Sequence, residues 1–354
     1  MVVFLYCFFM QNATTKEVER LAALLRYGMF GGDVPAGLPQ TEEEWQLLFN
    51  ATRRQAVTAL ACDAILLLPD GMRPPRKVLF HFLSMAQTVE ADNRRRENAL
   101  ADFAALCGES VGVPLTVVKG SSLARRYEEP LHRECGDNDL LTGADTERIA
   151  ALVESAGIDV DRKDPRHITF AFKSVTFECH TCLLYHNDDP LWHRGDNILV
   201  PNLYALPAEE EAFFLAKHCE HHAVFFHNPV RLRTLIDWCL LLGSEGFDYD
   251  AFDRLKLGTD VEVFADLMTL YCQRLLGAPV RDGLGYLESK QLGANDFERL
   301  YMQCPERHPN ALVRVVRRSG KYLRFSRQYR AIYGQSMFRR FYLKNLGIAV
   351  RQHL

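Results

Sequence analysis

The sequence has no apolar run long enough to cross a membrane. Its opening stretch, MVVFLYCFFM, is ten residues long, whereas a membrane-spanning helix needs about 20. No basic segment precedes this stretch and no A-x-A-like cleavage site follows it, so we do not expect a secretory signal. The ten cysteines are irregularly spaced, which argues against the disulfide framework of a small secreted domain. These absences predict a cytoplasmic protein with reduced thiols and no transmembrane span.

Acidic residues are missing from the C-terminal tail, residues 311–354. The tail contains eleven Lys and Arg residues, which leaves a net charge of −14 on residues 1–310 because the whole chain carries −3. Its basic residues recur at three- and four-residue steps with aromatic residues between them, as in an amphipathic helix. Three alternatives remain for the partner that its basic face binds: the acidic remainder of this chain, an anionic surface such as the inner face of the membrane, and nucleic acid.

Length and composition are those of an ordinary globular protein with two or three domains, since 48% of the 354 residues are apolar and 25% are charged. Capping-box patterns at Thr14–Glu17 and Thr41–Glu44 predict two helix starts in the first hundred residues. The hydrophobic pattern predicts four segments: an N-terminal helical region (1–110), an α/β core (111–200), a C-terminal helical domain (201–310) and the basic amphipathic tail (311–354).

The core segment alternates strand patterns with helix patterns. PLTVVKG predicts a buried strand that ends in a turn, and residues 121–129 and 137–142 predict a short helix and a second strand. Two alternating runs, 168–172 and 175–180, predict a β-hairpin across Lys173-Ser174. We therefore expect an α+β fold in which a small mixed β-sheet is flanked by N-terminal and C-terminal helical regions.

Three carboxylates of the core segment point to metal chemistry. Asp137 and Asp139, in RECGDNDLLT, are two residues apart, so in a strand their side chains share one face and repel unless a cation or a proton neutralises them. Glu178, in TFECH, points away from Phe177 and Cys179 on the second hairpin strand. Such an oxygen-rich set suits Mg²⁺ together with substrate phosphates. Two such ions could activate an attacking oxygen and stabilise a leaving phosphate.

The turn after the first strand has the composition of a phosphate-binding loop. A glycine lets the backbone approach a ligand closely, and a following helix start offers free N–H groups; an ordinary helix N-cap is the alternative. Lys119 is either a phosphate contact or a strand-end charge, and Arg133 either steadies a phosphate or pairs with Asp137. The candidate nucleotide-binding residues are Lys119, Gly120, Ser121, Ser122 and Arg133.

The string LTVVKGSSLARRY, followed by GDNDLL, a helix, His167 and FECH, resembles the uncharacterised nucleotidyltransferase family of the DNA polymerase beta-like superfamily. The resemblance extends over roughly residues 40–280. It implies that the chain moves NMP from an NTP to an acceptor and releases pyrophosphate. The acceptor stays open, since a small molecule, a protein side chain and RNA all fit.

The resemblance also implies roles for the site residues. Gly120 and Ser121 would hold the triphosphate, and the metal ligands would be Asp137, Asp139 and Glu178. The metal would be Mg²⁺, with two ions during catalysis, and Mn²⁺ is an alternative. His180 shares a face with Glu178, so His180 and His167 are expected behind the metal ligands; a satisfied core histidine is the alternative for His180.

Two other functions stay open. Members of the family usually have Ile or Leu where this chain has Asn138, which could mark an inactive nucleotide-binding or regulatory module on the same fold. The segment HCEHH, residues 218–222, places His218 and His222 one helical turn apart and suggests a zinc hydrolase, although its order is not HExxH.

Overall fold

The computed structural model describes the backbone of residues 2–184, 189–226, 228–278, 283–303 and 311–337. The chain forms two compact units, Met1–Leu215 with Leu232–Leu255, and Ala216–Arg231 with Lys256–Leu354. The four-segment division of the sequence stays a prediction. Within the described ranges, no helix combines the length and the apolarity that crossing a membrane requires.

Four helices precede the sheet: α1 (Val2–Phe30), α2 (Glu42–Gln55), α3 (Thr58–Leu67) and α4 (Arg76–Val111). The second predicted helix start is confirmed, because the Thr41 hydroxyl accepts a hydrogen bond of 3.2 Å from the Glu44 backbone N–H. The first is wrong, because α1 already begins at Val2 and runs through Thr14 without a break. Helix α4 ends at Val111 and is capped by Gly112, whose φ of 64° suits a glycine.

The sheet has five strands: β1 (Leu115–Val117), β2 (Asn138–Leu141), β3 (His167–Phe172), β4 (Val175–His180) and β5 (Leu203–Ala205). Their order is β3-β4-β2-β1-β5. The pairs β3–β4 and β1–β2 are antiparallel, whereas β2–β4 and β1–β5 are parallel. The predicted α+β fold with a mixed sheet is therefore confirmed, and β5 is a strand that the sequence pattern did not predict.

The predicted hairpin is also confirmed. Phe172 pairs with Val175, and the two turn residues between them, Lys173 and Ser174, both have positive φ values of 49° and 60°. Two consecutive positive φ values are those of a type I′ turn, whose twist matches that of the flanking strands.

One face of the sheet is apolar and covered by helices. The Phe177 ring on β4 lies 4.9 Å from the Phe103 ring of α4 and stacks on Phe170 at 5.6 Å. Ile149 and Val153 of α6 (Thr146–Ser155) belong to the same buried cluster. Because side chains alternate along a strand, this core fixes which residues of β2 and β4 point to the opposite face.

One of the remaining helices lies between β1 and β2, and the others follow the sheet strands in the chain. Three of them are α7 (Ala208–Phe225), α8 (Leu232–Leu242) and α10 (Glu262–Leu276). The shorter helices are α5 (Ser121–Ala124), α9 (Tyr249–Lys256), α11 (Tyr286–Ser289), α12 (Ala294–Phe297), α13 (Ala311–Arg324) and α14 (Ser326–Tyr333), with a π-helical turn at Glu298–Met302.

The described part of the tail packs on its own unit. Tyr322 and Tyr329 are buried, and the Tyr322 hydroxyl donates a hydrogen bond of 2.9 Å to the Val224 carbonyl. The Lys321 ammonium donates to the carbonyls of Leu300 and Gln303. Contact with the same chain, one of the three alternatives for the tail, is therefore realised by one face of α13 and α14. Residues 338–354, including Phe341, lie outside the described residues.

Candidate active site

The structure brings the three candidate carboxylates together at one face of the sheet. Asp139 on β2 lies directly beside Glu178 on β4 in the parallel register, and Asp137 lies immediately before β2. A ligand oxygen from each of the three falls within 4.8 Å of the other two. Asp139 is buried, Glu178 is partly exposed and Asp137 is exposed. Hard oxygen ligands at this spacing, open on one side, fit a divalent cation that also binds phosphate oxygens.

A lysine and a histidine contact the Asp139 carboxylate. The Lys119 ammonium lies 2.9 Å from Asp139 Oδ2, and His180 Nε2 lies 3.1 Å from Oδ1. Burial alone would raise the pKa of the Asp139 carboxyl, but Lys119 and His180 outweigh that effect and lower it. The His180 imidazole, 3.6 Å away, also lowers the pKa of Glu178. The sequence pattern predicts that these carboxylates need a neutralising partner, and the Lys119 ammonium of the same chain is one.

Asp137 has the opposite electrostatics. Desolvation by the surrounding protein, and next the Asp139 carboxylate, raise the pKa of the Asp137 carboxyl above its ordinary value. Adjacent carboxyls whose pKa values are moved in opposite directions are typical of sites that handle protons or cations.

The turn after β1 has a backbone that only particular residues adopt. Gly120 has φ 53° and ψ −118°, a region reserved for glycine, and Lys119 is held at a φ of 73°. That conformation directs Lys119 back to Asp139. Helix α5 covers only Ser121–Ala124, so the helix predicted over residues 121–129 is too long.

Helix α5 has four residues, whereas the sequence predicted a helix of nine. A shorter helix has a weaker dipole, so its N-terminus attracts a phosphate less strongly than expected. Ser121 is 9% exposed and Ser122 is fully buried. The nucleotide-binding roles of Gly120, Ser121 and Ser122 stay predictions, and so does a phosphate contact for Lys119.

Arg133 has a different partner from the one expected. Its Nε and Nη2 atoms donate to the two carboxylate oxygens of Asp237 on α8, at 2.6 and 2.8 Å, and Tyr127 donates to the same carboxylate at 2.6 Å. The pairing of Arg133 with Asp137 is therefore wrong. Both Arg133 and Asp237 are buried. The Arg133 side chain is only 5% exposed, which leaves little of it accessible to a phosphate. A phosphate contact for Arg133 stays a prediction.

The loop that leads to Asp137 is also held from the other side. The Asn93 amide on α4 donates to the carbonyls of Leu131 and Arg133, at 2.7 and 2.8 Å. Together with Asp237, this contact fixes the approach to β2. Sequence reasoning missed Asp237, and the signal was a lone aspartate within the apolar run LRTLIDWCLLL.

His167 and His180 lie on the same face of the hairpin as Glu178. They are cross-strand partners, and their ring centroids are 4.8 Å apart. His180 is buried and contacts the Asp139 carboxylate, but its Nδ1 atom has no hydrogen-bond partner, so it is not a fully satisfied core histidine. Its supporting role behind the metal ligands stays a prediction.

Asn138 points to the apolar face of the sheet. It is 4% exposed, its register partner is Phe177, and its Nδ2 atom has no hydrogen-bond partner. A buried polar group without a partner destabilises the fold. The side chain lies on the opposite face from the carboxylates, so it does not contact the candidate metal ligands.

We expect Asn138→Leu to raise the free energy of unfolding by about 1–3 kcal/mol, because the substitution removes an unpaired amide at similar volume. Urea unfolding measures the change. The control is Asn93→Leu, which should destabilise the protein because the Asn93 amide donates two hydrogen bonds. A destabilised Asn138→Leu variant would contradict the prediction.

The HCEHH segment lies in α7. The rings of His218 and His222 stack at 4.1 Å. In the part of the chain that the structure describes, two groups of three potential metal ligands occur, and both lie at the sheet: Asp137, Asp139, Glu178 and His167, Glu178, His180. The zinc-hydrolase alternative therefore lacks a set of three ligands among the described residues.

The family model of an uncharacterised nucleotidyltransferase matches residues 41–277. This range holds about two-thirds of the chain and includes every candidate site residue. Comparison with curated proteins finds no match, and comparison with solved structures finds none. The chain therefore belongs to the uncharacterised nucleotidyltransferase family, whose general class is that of enzymes that transfer nucleotidyl groups.

Proposed function

We propose that the chain moves NMP from an NTP to an acceptor hydroxyl or phosphate. The acceptor oxygen bonds to the α-phosphorus while the bond from that phosphorus to the pyrophosphate oxygen breaks, and an acceptor hydroxyl releases its proton to water. The supporting observation is the convergence of Asp137, Asp139 and Glu178 within 4.8 Å. The Gly120 turn lies beside them, since a Cβ on Gly120 would stand 3.8 Å from the Asp137 carbonyl oxygen.

The donor set fits Mg²⁺ or Mn²⁺, because all three ligands are carboxylates and one of them is exposed to solvent. Bound there, one or two such ions would neutralise charge on the attacking and leaving oxygens. Gly120 and Ser121 would hold the triphosphate with their backbone N–H groups. Lys119, next to Gly120 and at present paired with Asp139, would bind a phosphate oxygen.

The test is a panel of NTPs labelled at the α-phosphate, incubated with the full chain and cell extract as the acceptor pool. We expect label transfer to one fraction of the extract, with release of pyrophosphate that EDTA abolishes. Extract fractionated into small molecules, proteins and RNA identifies the acceptor class. Nucleotide binding without pyrophosphate release would assign the inactive-module function instead, and transfer that is insensitive to EDTA would refute the metal assignment.

We propose in addition that the exposed face of α13 and α14 binds an anionic membrane surface. Val316 and Leu323 are 63% and 69% exposed, and they share this face with the exposed Arg317, Arg324 and Arg327. Exposed apolar residues among arginines suit a lipid surface, where the apolar side chains enter the interface and the arginines pair with headgroups.

A variant in which Gln replaces Arg317, Arg324 and Arg327 together should lose binding to vesicles of acidic phospholipid. Its melting temperature should stay that of the wild type. The wild-type interaction should weaken as salt is added. RNA binding without vesicle binding would contradict the proposal.

A further inference from the structure

The β-hairpin carries a second group of potential metal ligands, with a different chemistry from the three carboxylates. His167, Glu178 and His180 each offer a ligand atom within 4.8 Å of the other two. His167 on β3 is the cross-strand partner of His180 on β4. Glu178 precedes His180 by two positions, so its side chain lies on the same face.

The ligand atoms already have the spacing of a coordination polyhedron. His180 Nε2 lies 3.6 Å from Glu178 Oε2, and His167 Nε2 lies 3.9 Å from the same oxygen. His180 Nε2 is also 3.1 Å from Asp139 Oδ1. Metal–ligand bonds of about 2.1 Å in a tetrahedron place ligand atoms about 3.4 Å apart, so small side-chain movements suffice to bind an ion.

Aromatic packing anchors the two strands that carry these side chains, and a carboxylate lies near His167. Phe170 and Phe177 anchor the two strands on the opposite face of the sheet, and His180 is 7% exposed. The second nitrogen of His167, Nδ1, lies 3.8 Å from Asp164 Oδ1, and Arg166 holds the Asp164 carboxylate at 3.1 and 2.9 Å. The distance of 3.8 Å is longer than a hydrogen bond, and neither His167 Nδ1 nor His180 Nδ1 has a hydrogen-bond partner.

We propose that His167, Glu178 and His180 bind a divalent transition-metal ion of borderline softness, such as Zn²⁺ or Co²⁺, with Asp139 as a fourth ligand. Imidazole nitrogen suits such ions, whereas Mg²⁺ prefers oxygen ligands. Glu178 and Asp139 belong to both ligand sets. Transition-metal binding therefore competes with Mg²⁺ at the carboxylates, and this site sets which metal ions the protein accepts.

The test uses the full chain, stripped of metal with EDTA and dialysed, in the absence of any nucleotide. Co²⁺ is titrated in and its visible d–d absorption is recorded. We expect the intense bands of four- or five-coordinate Co²⁺, lost when one equivalent of Zn²⁺ is added. A large excess of Mg²⁺ should be needed to weaken them, because Mg²⁺ competes for the two carboxylates but binds imidazole poorly. His167→Gln and His180→Gln should each weaken Co²⁺ binding at least about tenfold.

The control is His218→Gln in the HCEHH segment, which should leave the Co²⁺ spectrum unchanged. Loss of the spectrum in this variant, with retention in His167→Gln, would move the metal to HCEHH and overturn the proposal. A wild-type chain without Co²⁺ bands would overturn it as well. Circular dichroism checks the fold of each variant, and His167→Gln decides the outcome if His180→Gln does not fold, because the His167 side chain is less buried than that of His180.

The proposal stands apart from nucleotidyl transfer, because its test contains no NTP and no acceptor. A chain that transfers NMP but shows no Co²⁺ bands refutes this site and leaves the proposed function intact. A chain that shows the Co²⁺ bands but transfers no NMP supports this site and refutes the proposed function.

Discussion

Replacement of Asp139 by Asn is expected to abolish nucleotidyl transfer while the protein stays folded. Asp139 is the buried member of the carboxylate set and lies directly beside Glu178. A metal ligand supports several kcal/mol of transition-state stabilisation, so its loss corresponds to about a 10³-fold lower rate or more. Pyrophosphate release under saturating Mg²⁺ and NTP measures the effect. Turnover at the wild-type rate would refute the assignment of Asp139 as a metal ligand.

Asp139→Asn and Asp137→Asn should have opposite effects on stability at neutral pH. The pKa of Asp139 is lowered in the folded protein, so its ionised form contributes stability above the ordinary aspartate pKa of about 3.9. That contribution is lost as the pH falls through the lowered pKa. The pKa of Asp137 is raised, so its ionised form destabilises the fold above that raised pKa, and the destabilisation disappears as the pH falls towards 3.9.

At pH 7 and without divalent cations, Asp139→Asn should therefore unfold at lower urea concentration than the wild type, and Asp137→Asn at a higher one. The Asp137→Asn difference should shrink as the pH falls towards about 3.9, and the Asp139→Asn difference should shrink only as the pH falls below about 3.9. The two-residue spacing predicts repulsion between Asp137 and Asp139, which removal of Asp139 would relieve. The structure corrects this expectation, because Lys119 and His180 contact the Asp139 carboxylate and lower its pKa, whereas the pKa of Asp137 is raised; the relief therefore belongs to Asp137. A more stable Asp139→Asn variant at pH 7 would contradict this account.

Replacement of Asp237 by Asn is expected to cost about 3–5 kcal/mol of unfolding free energy, because it leaves the buried Arg133 guanidinium without a counter-charge. The Tyr127 hydroxyl loses its charged acceptor at the same time. We also expect slower turnover, since the loop that leads to Asp137 is held by this ion pair. Urea unfolding and pyrophosphate release measure the two effects.

Asp145→Asn is the matched control for Asp237→Asn. Asp145 also pairs with an arginine, Arg148, but both side chains are substantially exposed, and pairs of this kind contribute about 0–1 kcal/mol. Equal losses of stability in the two variants would show that burial of the Arg133–Asp237 pair has no special cost.

The strands of the core could be predicted because their signals are local. Alternation of apolar and polar residues placed Phe177 and Cys179 on one face and Glu178 and His180 on the other, as the structure shows. The strand β5 could not be predicted, because three residues are too few to show a period and its partner β1 lies almost ninety positions earlier.

The contacts of charged residues at the site could not be predicted, because they depend on the folded arrangement. Arg133 meets Asp237 across 104 positions, and no local pattern links the two. Lys119 reaches Asp139 because the backbone at Lys119 adopts a positive φ, which a strand-to-turn pattern does not reveal. The length of α1 was missed because the capping box at Thr14 follows residues that continue the helix.

The parallel pairing of β2 with β4 has a consequence for the order of folding. The hairpin of β3 and β4 closes across two residues, whereas Asp139 and Glu178 become neighbours only when segments 39 positions apart have met. Closure of the longer loop costs more chain entropy, so the two carboxylates approach each other late. A divalent cation that binds between them then stabilises the native state but not the transition state, and should slow unfolding while the refolding rate stays unchanged.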